Sequence, residues 1–138
     1  MRESFKVDDD SVGYLEATLG QLSGTAGYRV SLDELIERWK RFVHQVEQGY
    51  DDSIYEYAND LAVRHVLKRI EINAPASLRQ SLSAHLMPVD QRFFQATRAA
   101  EKSIPALSQE PDTVWLARIP EKPVGGLLED LRSYGLVS

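Results

Sequence analysis

The chain reads as an all-α protein, an irregular bundle of about four main antiparallel helices, and three observations lead there. Two long stretches repeat their apolar residues at three and four positions, each opens on a capping signal, and the loop between them is very short. Its 138 residues point to one domain with room for a real core. Residues 31–104 are expected to form the helical core, 1–30 an arm or short helix, and 105–138 a tail packed on that core.

The clearest helix starts at Ser31. Ser31 with Glu34 has the spacing of a capping box, in which each side chain satisfies a free N–H of the first turn. Leu32, Leu35, Ile36, Trp39, Phe42, Val43 and Val46 then recur on one face, and Gly49 suits the position just past the end. The turn Tyr50-Asp51-Asp52 leads into a second helix, Ser53 to about Ile72, with Ser53 and Glu56 as the next capping box. Its apolar set, Ile54, Ala58, Leu61, Ala62, Val63, Val66, Ile70 and Ile72, covers well over half the circumference, as in a helix packed on several sides. Glu56, Asp60, Arg64, Lys68 and Glu71 form the polar strip, whereas Asn59 and His65 fall within the apolar arc.

Before this pair, Asp8 to Ser11 caps a short helix carrying Val12, Leu15, Leu19 and Leu22, weakened by Gly13, Gly20, Gly24 and Gly27. After it, Pro75 opens a third helix to about Met87, with Leu78, Leu82, His85 and Leu86 on its apolar side. Pro88 separates that helix from a fourth, Val89 to Lys102. The Pro-rich tail holds a β-prone segment, Val114–Ile119, that adds one or two short strands with a partner in the N-terminal arm. Trp115 in it reads as an anchor to the core. Gly125-Gly126 leads into a last short helix bearing Leu127, Leu128, Leu131 and Tyr134 and closed by Gly135.

Composition bounds function. Net charge is −5, which disfavours nucleic acid and anionic membrane as partners. With no cysteine there is no disulfide, thiolate metal site or cysteine nucleophile, which fits a cytoplasmic protein. No apolar run has membrane-spanning length, and the first residues lack the apolar stretch of a signal peptide. No nucleophile elbow, phosphate-binding glycine loop, dinucleotide fingerprint or di-iron Glu-x-x-His motif occurs, so the reading leans away from an enzyme and implies no cofactor.

Charge patterning carries the functional expectation. From Phe42 to Val63 there is no Lys or Arg, while the stretch holds Glu47, Asp51, Asp52, Glu56 and Asp60 with Tyr50, Tyr55 and Tyr57. The set spans a hairpin turn and so shares one end of the molecule. Clustered carboxylates attract a basic protein partner, and tyrosines supply contact area at low entropic cost. The competing account has the acids capping a helix and the tyrosines resting at the core boundary. A second function class is a small-ligand or metal-binding bundle with a pocket formed by Asn59, His65 and His85. His44 lies roughly 12 Å from His65 in height along the bundle, too far to share a metal. Two histidines without a third ligand do not make a metal site. A homo-oligomer that completes the wide apolar face of the second helix is the third use of these surfaces.

Overall fold

In a computed structural model, residues 9–26, 31–100, 102, 104 and 117–137 are described, with side chains 13–21 in the first helix. Among the described residues five helices and two short strands follow in the order α1 (Asp9–Ala26), α2 (Leu32–Gln48), α3 (Ile54–Asn73), α4 (Ala76–Ala96), β1 (Thr97–Ala99), β2 (Arg118–Pro120) and α5 (Gly125–Ser133). The fold is an all-α bundle with a two-stranded sheet at its side.

α2 follows its sequence pattern closely. Ser31 Oγ accepts the Glu34 N–H at 3.2 Å, and the Gly49 N–H closes the far end on Gln45 O at 2.8 Å. All seven apolar positions of its stripe are buried. α3 starts in the same way, with Ser53 Oγ accepting from Glu56 N at 3.2 Å. The Ser53 N–H, however, is bonded by Asp52 Oδ1 at 2.7 Å rather than by the Glu56 carboxylate.

α3 is central, touching α2, α4 and α5. Its buried side turns along its length. Ile54, Tyr57, Ala58 and Leu61 face inward in the first half; Val63, Arg64, Leu67 and Ile70 do so in the second. At about 100° per residue these two sets point well over a third of a turn apart. The expected single apolar arc is therefore corrected: Asn59, Ala62 and Ile72 are exposed, and Arg64, assigned to the polar strip, is buried.

The third and fourth expected helices are one. α4 runs through Pro88, whose missing N–H would have bonded the carbonyl of Ala84, and both residues lie on the exposed side of the helix. Leu78, Leu82, Leu86, Val89 and Phe93 keep one buried stripe across the proline. The helix stops at Ala96, short of Lys102, because Thr97 turns extended and starts β1. β1 pairs antiparallel with β2, Arg98 opposite Ile119, so among the described residues the strand's partner is this neighbour; residues 114–116 of the expected β-prone segment lie outside them. Trp115 lies outside the described residues.

The tail is fastened by charge at two helix ends. Asp130 Oδ2 accepts the free Ile54 N–H at 2.9 Å, a carboxylate at the positive end of α3. Arg118 donates to Phe94 O at 3.3 Å and to Thr97 O and Oγ1 at 2.8 Å each, a guanidinium at the negative end of α4. Its carbon centre also sits 4.9 Å from the Phe94 ring centroid. The Tyr57 hydroxyl, inside the core, donates to Arg118 O at 2.6 Å and so occupies an outward carbonyl of β2. Trp39, Phe42, Phe93, Tyr50 and Tyr57 form the aromatic centre that these tethers enclose, with ring centroids 5.1–6.2 Å apart.

α1 is longer than the sequence suggests and is tied on by Leu15, which is buried, and by Tyr14, which donates to Ile70 O at 2.6 Å. A Cβ on Gly20 would meet no atom within 4 Å. Gly20→Ala is expected to raise stability by about 0.5–1 kcal/mol, since it restricts the unfolded chain without a clash. Urea denaturation checks this; an unchanged or lowered midpoint contradicts it.

Candidate functional site

The acidic, tyrosine-bearing stretch divides into two groups. Glu47, Tyr50 and Asp60 are engaged within the fold. Arg92 of α4 holds both carboxylate oxygens of Glu47, with Nε to Oε2 at 3.0 Å, and ties α2 to α4. That hydrogen-bonded guanidinium holds the Glu47 carboxyl below the usual carboxylate range. The sign follows: its contribution is present at neutral pH and is lost as pH falls through the lowered folded value. Glu47→Gln is expected to flatten the acid side of the stability profile by less than about 1 kcal/mol, because the pair is largely exposed. An unchanged acid limb in thermal unfolding scans would remove this assignment.

Tyr50 is buried and donates to Asp60 Oδ2 at 2.7 Å. Burial, and then the Asp60 hydrogen bond, push its phenol well above its ordinary value; burial does the same for Tyr57. Both act as neutral hydrogen-bonding groups.

The outward group is Asp51, Asp52, Tyr55 and Glu56. Among the described residues, no Lys or Arg forms an ion pair with Asp51, Asp52 or Glu56. A shallow depression of about 210 Å³ lies beside them, bordered by His44, Gly49, Tyr50, Asp51, Asp52 and Asp60. α5 completes this end. The Gly126 N–H donates to Asp51 O at 3.0 Å, and the Tyr134 hydroxyl meets the Tyr55 hydroxyl at 2.7 Å. This hydrogen bond raises the Tyr134 phenol above its ordinary value. Tyr55, Tyr134 and Val124 are 56%, 43% and 40% exposed, half of the large exposed hydrophobic residues described. Val124 is placed here by its methyl, 3.3 Å from where a Cβ on Gly49 would stand.

Asn59, His65 and His85 fare differently. Asn59 is exposed and His65 half-buried, while His85 is exposed with Nδ1 2.9 Å from Ser81 O of its own helix. Both Asn59 and His85 thus leave the apolar faces expected for them. Among the described residues, no group of three or more His, Asp or Glu side chains is arranged to hold a metal ion. No described helix is long and apolar enough to cross a membrane. The Gly125-Gly126 helix start directs the Gly126 N–H at Asp51 O.

Sequence reasoning missed a third group. Arg64 is buried and forms a two-point ion pair with Asp90, Nε to Oδ1 at 2.9 Å and Nη2 to Oδ2 at 2.8 Å. Trp39 Nε1 also donates to Asp90 Oδ1 at 2.9 Å. The signal was present: Arg64 continues the series Ile54, Tyr57, Leu61, Leu67, Ile70 at three- and four-residue steps. Val124, Asp130 and Tyr134 were missed as members of the acidic end because only the fold brings them there. No protein-family model, curated protein or solved structure matches the chain.

Proposed function

We propose that the protein is a non-enzymatic interaction or regulatory protein that presents the end formed by the α2–α3 turn, the first turn of α3 and the face of α5 to a basic protein partner. The observation that carries this reading is the trio of exposed carboxylates, Asp51, Asp52 and Glu56, without basic partners among the described residues, around the exposed Tyr55, Tyr134 and Val124. An apolar and aromatic centre with a charged rim is the composition of a protein-binding surface. Carboxylates on the rim speed encounter with a basic surface and make association salt-dependent. Glu47 and Asp60 support this end from behind by tying α2 to α4 and by holding Tyr50.

The test is affinity capture from native lysate, read by mass spectrometry, with Asp52→Lys/Glu56→Lys in parallel. A basic protein held by the wild type is expected to be lost by the double variant. Two lysines at the start of α3 oppose the helix dipole, so Asp52→Asn/Glu56→Gln is run as a folded, charge-neutral control with intermediate binding. Retention of the same partner by a folded double variant removes the proposal, as does a captured set without a basic protein.

A further inference from the structure

Away from that end, α3 and α4 enclose a cleft that the acidic face does not use. Its floor follows from the burial of Arg64. A guanidinium removed from water needs carboxylates. Asp90 meets it at two points, and Glu71 lies nearby, its Oε2 3.8 Å from Arg64 Nη2. That distance is beyond a hydrogen bond, and Glu71 Oε2, shielded from solvent, accepts no hydrogen bond from the described residues. One guanidinium thus faces two carboxylates, and the floor is formally anionic. The cleft above it is about 280 Å³. Leu86 lines it from the buried side. Met87 and Phe94, seven residues apart along α4, line it while remaining 55% and 39% exposed.

We propose that this cleft binds a small organic cation, a primary ammonium carried on an apolar body. The ammonium sits against the solvent-facing edge of the Glu71 carboxylate and adds positive charge where one Arg64 is shared between two carboxylates. The apolar body lies along Leu86, Met87 and Phe94, where a thioether and an aromatic ring accommodate hydrocarbon. The volume is near the low end of small-molecule sites, roughly 300–1,000 Å³. Carboxylates and phosphates are disfavoured by the anionic floor, and among the described residues no three His, Asp or Glu side chains are grouped to hold a bare metal ion. This site is independent of the docking end: Glu56 and Glu71 are fifteen positions apart on α3, roughly 22 Å at the helical rise.

Met87 lines the cleft, so methyl-labelled methionine gives a reporter within it. The probes are 2-phenylethylammonium, its neutral counterpart 2-phenylethanol, and phenylacetate, each titrated into the full chain. The Met87 methyl signal is expected to shift saturably with the ammonium, with affinity about tenfold above that of the alcohol. Glu71→Gln is expected to erase the ammonium's advantage. Should Glu71→Gln fail to fold, Gln91→Arg at an exposed position on the cleft wall places a repelling charge beside the ammonium and is expected to have the same effect. Equal responses to ammonium and alcohol would mean apolar adsorption only and overturn the proposal. A response to phenylacetate, or no saturation at millimolar ammonium, also overturns it.

Discussion

Replacement of Asp90 by alanine is expected to destabilise the fold by about 3–5 kcal/mol, the usual cost of stripping one partner from a buried ion pair. Asp90 accepts hydrogen bonds from Arg64 Nε, Arg64 Nη2 and Trp39 Nε1. Its removal leaves the guanidinium facing only Glu71, at 3.8 Å, and orphans the indole N–H of a Trp with no solvent exposure. The expected result is a large fall in the urea midpoint with no change in slope. The size of that fall does not measure what the pair contributes, because most of it is the penalty for an uncompensated charge. Arg64→Met with Asp90→Leu separates the two. If the pair serves chiefly to orient α3 against α4, the double variant recovers most of the loss, leaving about 1–3 kcal/mol for the unsatisfied Trp39 N–H and for Glu71, which loses Arg64. A double variant no more stable than Asp90→Ala would show that the ion pair itself carries the stability. A loss below about 1 kcal/mol for Asp90→Ala would mean that Arg64 readily reaches water, contrary to its burial.

The same pair marks where sequence reading succeeds and where it stops. α2 was legible nearly residue by residue, since its cap, apolar stripe and terminal glycine are local features and all point to one answer. α3 was legible in extent but not in face. A helix with three neighbours buries different sides in its two halves, and no single stripe describes it. In the sequence Pro88 reads as a break because a proline interrupts the backbone ladder; on the solvent side of α4 that interruption is tolerated, and the apolar stripe continues beneath it. The exposed acids Asp51, Asp52 and Glu56 could be read from the chain, since a turn and a helix start seldom bury charge. The engagement of Glu47 by Arg92, 45 positions away, and of Ile54 by Asp130, 76 positions away, leaves no local trace.

Gly125→Ala shows how much of the docking end rests on one backbone approach. Gly125 has φ +56°, and a Cβ there would stand 2.8 Å from Asp51 Cβ; one on Gly126 would stand 2.9 Å from Asp51 O. Alanine at position 125 therefore incurs left-handed strain of about 1–2 kcal/mol. The contact adds about 1–3 kcal/mol of overpacking against a turn that cannot retreat. A total loss of about 2–5 kcal/mol is expected, opposite in sign to Gly20→Ala, although the chemical change is identical. The two signs follow from space and backbone angle alone. α5 has Leu127 and Leu131 fully buried, so the variant stays attached but shifts, and the bonds from Asp130 to Ile54 and from Tyr134 to Tyr55 loosen. Amide exchange at Ile54 reads this directly, since its N–H is held by Asp130. Faster exchange there than global unfolding accounts for is the expected outcome; exchange at the wild-type rate would mean that α5 is not what closes this helix end. Because α5 carries Val124 at its start and Tyr134 at its end, Gly125→Ala is also expected to weaken capture of the basic partner without altering a charge. Capture at wild-type strength, in a variant with fast Ile54 exchange, would restrict the docking surface to the α2–α3 turn and the first turn of α3.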